Sequence, residues 1–374
     1  MSDLADFLRF FVEPWYESLA QPRKAQEDVL RVLIRGYAKT EYGACRLRGG
    51  QDMEGFRSSF PVVSYRDLRP YLDEVMRGNY QSLLPEPVVR WVMTRGTTGK
   101  PKFVPTTKTH LSQIWSVGAR AIVNFALRHR EFDVLQGGSL NLNFPSEVGA
   151  FNFSGGVEPY GYSSGTYARL NPRLGPAELI PRQEEIDAIG GDMDKKDWED
   201  RFELVYERAR HSDIRSVMGV TPVIVAFARY LKRKHGVLPK QLWNLKGIFC
   251  TSVPKIHTNY APLLRQMYGQ SSIVEMYTAT EGVFAQQLDD LPYVSPNYDN
   301  YLFEVMTGKG VKSLYELEAG EWGRLIVSSI LFPRYDIGDM IEAMGKGYFR
   351  IFGRVRRLVI LEHILFNIVA GRFR

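Results

Sequence analysis

Thr94-Arg95-Gly96-Thr97-Thr98-Gly99-Lys100-Pro101-Lys102 is the stretch that decides the fold, and it follows the apolar run Val88-Val89-Arg90-Trp91-Val92-Met93. The apolar run predicts a buried strand. Glycines at the end of a strand permit tight curvature, and the backbone N–H groups exposed there can form an anion-binding nest. Threonine hydroxyls and the Lys102 ammonium add donors and positive charge. The stretch predicts a phosphate-binding loop, and a lysine-bearing surface turn is the alternative.

The spacing of this loop excludes a Walker A motif. A Walker A loop has four residues between its outer glycines and a Ser or Thr after its lysine. Here only Thr97 and Thr98 separate the glycines, and Pro101 follows Lys100. A kinase-like or GTPase-like phosphate loop is therefore not expected.

Composition narrows the class of protein. The chain has 374 residues and a net charge of +6, a mild excess that suits anionic small ligands. No basic run alternates with aromatic residues, so we expect no nucleic-acid groove. The two cysteines and six histidines show no metal-ligand spacing, which argues against a disulfide scaffold or a histidine-based metal site. With no signal peptide and no apolar run of about 18–20 residues, we expect a cytoplasmic protein without a membrane segment.

An alternation of helices and strands begins near residue 197. Strands are expected at 214–218, 246–250 and 272–276, each followed by a turn rich in hydroxyls. Open α/β sheets place their ligands at the ends of successive strands, so the turns predict a binding edge. Residues 137–170 have the composition of loops and short strands, whose aromatic residues would line a substrate pocket or form surface hairpins or a dimer contact. After about residue 300 the pattern becomes rich in strands.

Tyr277-x-x-Thr280-Glu281-Gly282 is the second informative motif. The strand end offers an aromatic face for adenine, a hydroxyl for the α-phosphate and a carboxylate for Mg²⁺. A carboxylate at a helix start is the alternative for Glu281. The motif predicts a site for a magnesium nucleotide.

Two weaker motifs follow. Tyr335-Asp336-Ile337-Gly338-Asp339 would place a carboxylate after a glycine turn, where it can accept hydrogen bonds from both ribose hydroxyls. Gly353-Arg354 follows a predicted strand and would suit a hinge between two domains.

Taken in sequence order, the four motifs resemble those of the adenylate-forming enzymes. Seven loop positions match the phosphate loop of that superfamily, and Arg95 stands where a small hydroxyl residue is usual. Within the superfamily the chain looks most like the GH3 acyl-acid amido synthetases. The segment 60–71 (Phe-Pro-Val-Val-Ser-Tyr-Arg-Asp-Leu-Arg-Pro-Tyr) and its distance ahead of the loop support this narrower match. The resemblance covers about residues 30 to 357.

The resemblance implies an α/β fold: a large N-terminal domain over residues 1–353, with two flavodoxin-like subdomains and a small β-rich subdomain. It implies that ATP and Mg²⁺ are cofactors, and that a carboxylic acid becomes an acyl-adenylate and is then transferred to an amine such as an amino acid. By position, residues 217–220 resemble the wall between the adenylate and acyl pockets. Catalysis is implied for Lys102, Thr280 and Glu281, with Glu281 as the metal ligand. Cofactor binding is implied for Thr94, Gly96, Thr97, Thr98, Gly99, Thr251, Ser252, Val253, Tyr277, Asp339 and Arg354.

The chain departs from the family after the hinge. In the superfamily a mobile C-terminal domain follows and usually supplies a lysine, whereas residues 354–374 contain no lysine. We therefore expect this segment to be the hinge and a remnant of a largely absent C-terminal domain. A shortened chain, a shifted reading frame or a lid from another chain would each explain the departure. The alternatives to a GH3-type ligase are an acyl-CoA ligase or acyl-protein synthetase, and a non-catalytic nucleotide-binding core. The sequence leaves the acid, the acceptor and the oligomeric state open.

Overall fold

The computed structural model of the chain describes residues 2–94, 101–153, 156–171, 173–174, 177–191, 194–355 and 363. The chain divides into two compact units. The first unit comprises Met1–Glu13 and Val88–Pro292, and the second comprises Pro14–Pro87 and Tyr293–Arg374.

The α-helices are α1 (Ser2–Ala20), α2 (Pro22–Tyr37), α3 (Glu41–Ala44), α4 (Met53–Ser59), α5 (Tyr65–Met76), α6 (Lys108–His129), α7 (Ser163–Leu170), α8 (Gln183–Ile189), α9 (Lys195–Ala209), α10 (Thr221–His235), α11 (Pro239–Leu242) and α12 (Ala261–Tyr268). The strands are β1 (Val88–Met93), β2 (Phe103–Thr107), β3 (Gly138–Leu140), β4 (Gly149–Phe153), β5 (Gly156–Tyr162), β6 (Arg173–Leu174), β7 (Ala177–Ile180), β8 (Ile214–Val220), β9 (Gly247–Thr251), β10 (Ser272–Ala279), β11 (Gly282–Gln286), β12 (Ser295–Pro296), β13 (Leu302–Thr307), β14 (Gly310–Ser313), β15 (Trp322–Ser328), β16 (Tyr335–Gly345) and β17 (Tyr348–Arg354).

The larger sheet of the first unit runs in the order β11-β10-β9-β8-β3-β7-β6. Strands β7, β3, β8, β9 and β10 are parallel to one another, while β11 runs antiparallel to β10 and β6 runs antiparallel to β7. Side chains alternate between the faces of a strand. In β9, Ile248 and Cys250 join the core packed by α9, α10 and α12, whereas Phe249 meets Phe125 of α6 at 5.9 Å. Helices therefore cover both faces, as expected for a mainly parallel sheet.

The smaller sheet of the first unit has the order β2-β1-β5-β4. Strands β1 and β2 form an antiparallel hairpin in which Met93 pairs with Phe103. Phe103 also packs against Phe151 and Tyr160, at ring-centre distances of 4.7 and 4.8 Å. The hairpin that carries the predicted phosphate loop is thus joined to the sheet by aromatic packing.

The second unit contains an antiparallel sheet of order β14-β13-β15-β16-β17 with α2 packed on β13. Segment 60–64 joins this sheet where Val63 forms a parallel bridge to Tyr335. Glu304 of β13 is fully buried and accepts hydrogen bonds from the guanidinium groups of Arg334 and Arg57. The buried carboxylate ties α4 and the start of β16 to the sheet.

The expected α/β class is confirmed, and the strands expected at 214–218, 246–250 and 272–276 are observed as β8, β9 and β10. Between β9 and β10, a π-helical turn, Ile256–Tyr260, precedes α12. The domain boundary at 353 and 354 stays a prediction. Across the described ranges, no helix combines the length and hydropathy required of a membrane span.

Candidate active site at the strand ends

The carboxyl ends of β8, β9 and β10 lie side by side because the three strands are parallel and neighbouring. This edge is where open α/β sheets bind ligands. It brings together residues that the sequence placed in two separate motifs. They are Thr251 at the end of β9 with Ser252 and Val253 after it, and Tyr277 near the end of β10 with Thr280 and Glu281 after it.

Thr251 fastens β9 to β8 at this edge. Its hydroxyl donates to the carbonyl of Gly219 at 3.0 Å, and the Thr221 hydroxyl donates to the Thr251 carbonyl at 2.9 Å. Immediately afterwards, Ser252 and Lys255 adopt the left-handed backbone region, with φ values of 78° and 60°. Strained backbone of this kind persists only where the surroundings hold it, and it clusters at binding sites.

Thr280 and Glu281 form the two-residue turn of the β10–β11 hairpin, in which Ala279 pairs with Gly282. Their side chains are largely buried, since Thr280 is 9% and Glu281 is 6% exposed. No described residue donates a hydrogen bond to the Glu281 carboxylate. Tyr277 is 8% exposed and packs against Phe284 of β11 at a ring-centre distance of 5.7 Å. The turn holds a hydroxyl and a carboxylate rigidly at the sheet edge.

Two side chains that the sequence did not single out hold this turn. His110 of α6 places Nε2 3.2 Å from the carbonyl oxygen of Glu281. The hydroxyl of Tyr167, in α7, donates to the carbonyl of Thr280 at 3.0 Å. The rings of His110 and Tyr167 meet edge to face, with centres 6.2 Å apart. Both carbonyls of the turn are thus bound by side chains from distant elements.

The phosphate-loop hairpin is closed by Thr94 and Lys102. The Thr94 N–H donates to the Lys102 carbonyl at 2.9 Å, and the Lys102 N–H donates to the Thr94 hydroxyl at 3.0 Å. The predicted phosphate-binding residues Gly96, Thr97, Thr98 and Gly99 lie outside the described residues. The two described ends show that the loop joins two antiparallel strands.

Asp339 and Arg354 belong to the second unit, where they are cross-strand partners on β16 and β17. Arg354 Nε lies 2.9 Å from a carboxylate oxygen of Asp339. Asp339 is buried, whereas the Arg354 side chain is half exposed. The two predicted residues are therefore an ion pair.

A second buried carboxyl lies near the site on β10. Burial raises the pKa of Glu275 to about 8. His257, in the π-helical turn after β9, places Nε2 3.5 Å from Glu275, and burial lowers the pKa of His257. Burial also raises the pKa of Cys250, the cross-strand neighbour of Glu275, to about 12. All three groups are therefore held in their neutral forms near neutral pH.

The described residues contain no cluster of three or more His, Cys, Asp or Glu side chains suited to a metal ion. A single carboxylate with a neighbouring hydroxyl is nevertheless compatible with Mg²⁺, which is commonly bound through one or two carboxylates, substrate phosphates and water. The oxygen donors of Glu281 and Thr280 fit that chemistry.

Comparison with known proteins gives matches to amido synthetases. Residues 14–196 match the model of the GH3 family N-terminal domain. The jasmonoyl–L-amino acid synthetase JAR4 of Nicotiana attenuata is 31% identical over 137 residues, which cover 36% of this chain and 23% of that protein. The indole-3-acetic acid-amido synthetase GH3.15 of Arabidopsis thaliana is 32% identical over 93 residues, covering 24% of this chain and 16% of that protein. The matched stretch thus spans less than a quarter of each relative's length.

Solved structures show the same fold. The AtGH3.15 acyl acid amido synthetase in complex with 2,4-DB superposes with a TM-score of 0.73 at 17% identity, covering 89% of this chain and 68% of that one. The 2-hydroxyisobutyryl-CoA ligase in its postadenylation state superposes with a TM-score of 0.64 at 14% identity, covering 90% of this chain and 68% of that one. Residues 14–196 of this chain are thus similar to the GH3 family N-terminal domain, and the chain has the fold of the solved acyl acid amido synthetase.

Proposed function

We propose that this protein activates a carboxylic acid with ATP to give an acyl-adenylate and then transfers the acyl group to the amine of an amino acid. The observation that carries the proposal is the presence of both a hairpin with the phosphate-loop motif and the Thr280–Glu281 turn, in a chain whose residues 14–196 match the GH3 family N-terminal domain. Curated relatives named as amido synthetases support the amino acid as acceptor.

The proposed reaction has two steps. An oxygen of the carboxylate attacks the α-phosphorus of ATP, a new P–O bond forms, and pyrophosphate leaves with the electrons of the broken P–O bond. The neutral amine then attacks the acyl carbon, loses a proton, and displaces AMP to leave an amide. Adenylation makes the second step favourable because AMP is a far better leaving group than the oxygen of a free carboxylate.

The residues take roles that follow from their chemistry. Lys102 screens the phosphate charge as the carboxylate approaches, and the Thr280 hydroxyl binds the α-phosphate. Glu281 would hold Mg²⁺, which supplies charge neutralisation at the phosphate oxygens. Nucleotide binding is completed, in this proposal, by Thr94, Gly96, Thr97, Thr98, Gly99, Thr251, Ser252, Val253, Tyr277, Asp339 and Arg354.

An apolar cluster supports an acid with a hydrophobic acyl group. At the end of β8, Val220 packs with Phe144, Tyr162 and Met93 in a buried cluster. A pocket bordered by such apolar side chains would favour an aromatic or aliphatic acyl chain. Because residues 217–220 resemble the wall of the acyl pocket, we place the acid on this side of the edge.

The test is thermal stabilisation of the whole chain, because a ligand that binds only the folded state raises stability by mass action. We would measure the melting temperature with AMP or Mg·ATP, alone and with indole-3-acetate, jasmonate, benzoates or fatty acids. We expect stabilisation by nucleotide and a further increase with one class of acid. Absence of any response to nucleotide would refute the proposal.

A second assay distinguishes between amino acids and coenzyme A as acyl acceptors. Product formation from ATP and the selected acid would be compared with amino acids and with coenzyme A. Amide formation is expected; a thioester product instead would make the chain an acyl-CoA ligase. Nucleotide binding without turnover toward either acceptor would favour the non-catalytic core.

A further inference from the structure

We propose that His110 and Tyr167 are positioning residues for the magnesium-nucleotide site, acting by binding the two backbone carbonyls of the Thr280–Glu281 turn. The inference rests on the proposed function and extends it to residues that lie outside the four motifs. It concerns the geometry of the turn, since neither side chain is a proposed ligand of the nucleotide.

The first support is the hydrogen bond of His110. A carbonyl oxygen can only accept, so the 3.2 Å contact between His110 Nε2 and the Glu281 carbonyl requires a proton on Nε2. The His110 side chain is fully buried. Burial at this contact restricts both the ring and the carbonyl, so the bond fixes the direction of the turn.

The second support is the position of His110 in the chain. It lies in the first turn of α6, which starts immediately after β2, and its N–H donates to the hydroxyl of Thr107, the residue that caps the helix. The helix that holds the Glu281 carbonyl is thus the direct continuation of the phosphate-loop hairpin. A rigid connection of this kind fixes the distance between the end of the hairpin and the carboxylate turn.

The third support is Tyr167, which binds the other carbonyl from a different element. Its hydroxyl reaches Thr280 at 3.0 Å from α7, and α7 follows β5 of the smaller sheet. A two-residue turn whose carbonyls are both bound has little freedom to rotate its peptide planes. The Thr280 hydroxyl and the Glu281 carboxylate therefore keep their positions before any ligand binds, which is preorganisation of the site.

The tautomer of His110 provides a test that needs no ligand. Nitrogen-15 spectra of the imidazole rings in the full chain would be assigned by comparison with His110→Gln. We expect a proton on Nε2 of His110, as its carbonyl contact requires. The Nδ1-protonated neutral tautomer would overturn the inference, because Nε2 would then be unable to donate to Glu281.

The second test measures magnesium dependence. At saturating ATP, the melting temperature would be followed as Mg²⁺ is titrated into the chelator-treated protein. His110→Leu and Tyr167→Phe each remove one hydrogen bond, so we expect each to raise the half-saturating Mg²⁺ concentration by about tenfold. His110→Gln retains an N–H donor and is expected to restore most of the loss.

Matched controls are available in the same molecule. His129 lies in the last turn of α6, and Tyr206 lies in α9, both outside the proposed site. His129→Leu and Tyr206→Phe should leave the half-saturating Mg²⁺ concentration unchanged. A double variant completes the set: in a Glu281→Gln background, His110→Leu should have no further effect on the magnesium response, because its action passes through Glu281.

The outcomes distinguish this inference from the proposed function. If ATP stabilises the protein but Mg²⁺ has no added effect, or if Tyr167→Phe and His110→Leu lower only the melting temperature of the ligand-free chain, the positioning role is wrong and the nucleotide site stands. If the unaltered chain gives no response to ATP, the proposed function fails and this inference fails with it.

Discussion

Lys102 contributes to the proposed site through its backbone and through its side chain. The backbone N–H and C=O bond to Thr94 and close the hairpin, while the ammonium supplies charge. Because alanine keeps the backbone bonds, Lys102→Ala separates the two contributions. A hydrogen bond to a charged group contributes about 1.5–3 kcal/mol. We therefore predict that the ATP concentration for half-maximal thermal stabilisation rises by about 10- to 100-fold.

The control for this prediction is Lys108→Ala. Lys108 is the exposed first residue of α6. Its substitution by alanine removes the same charge as Lys102→Ala, six positions further along the chain. If the two variants respond to ATP in the same way as the unaltered chain, the Lys102 side chain takes no part in phosphate binding.

Residue identities predicted which side chains would lie close together only where a motif was continuous. Thr280 and Glu281 stand together in the sequence, and the structure places them at the sheet edge together with Tyr277 and Thr251. His110 and Tyr167 are 171 and 113 positions from the carbonyls that they bind. A single histidine on an amphipathic helix has the same sequence pattern as any core histidine, so its role follows only from three-dimensional contact.

Among the elements, β2 shows how one residue can make a strand difficult to predict from the sequence. Phe103–Thr107 contains Pro105, which lacks the N–H that a sheet ladder uses, and proline argues against a central strand. The structure places β2 at the edge of its sheet, where proline is tolerated.

Helix α7 lies within residues 137–170, for which the composition predicted loops and short strands. A Cβ at Gly165 would lie 1.9 Å from the Phe144 carbonyl oxygen, so this glycine is required by close packing rather than by a loop.

The β10 strand carries a pH-dependent contribution to stability through Glu275. Its pKa is raised from 4.5 to about 8 in the folded chain. Between these pH values the unfolded chain releases the proton and the folded chain keeps it, so the free energy of unfolding falls as pH rises. The contribution is complete below about pH 4.5 and is lost as the pH passes 8.

We predict that Glu275→Gln removes this decrease in the free energy of unfolding with rising pH. The free energy of unfolding of the variant, relative to the unaltered chain, should increase with pH from about 4.5 to 8 by at most about 1.4 kcal/mol per pH unit, and then level off. Urea titrations at several pH values would measure it, with Glu207→Gln on the exposed side of α9 as control. A difference independent of pH would show that Glu275 ionises normally.

For the molecule as a whole, the second unit is difficult to predict from the sequence because it is formed by two separate segments. Its parts, 14–87 and 293–374, are separated in sequence by residues 88–292 of the first unit. The α/β alternation between 197 and 276 is visible because its contacts join successive elements. The bridge from Val63 to Tyr335 and the ion pair between Arg57 and Glu304 each join residues more than two hundred positions apart. No local sequence pattern predicts such contacts.

Glu304 is expected to be a principal determinant of the stability of the second unit. Removing one partner of a buried ion pair leaves the other charges uncompensated, at a cost of about 3–5 kcal/mol. We predict a loss of that size for Glu304→Gln in urea denaturation, whereas Glu318→Gln, at an exposed position near the same sheet, should change stability by less than about 0.5 kcal/mol. Equal midpoints for the two variants would contradict the prediction.

The hydrogen-bonded pair of Thr94 and Lys102 has a consequence for how this loop can change in evolution or by design. The two ends of the intervening segment are held together by the fold itself, so the entropy of closing that segment is lost when the hairpin folds and not when a ligand arrives. The cost of closure grows only with the logarithm of length, about 0.6 kcal/mol for each doubling. Insertions between the two residues should therefore lower the stability of the hairpin slightly, and their chemical content, more than their number, should decide whether an anion still binds.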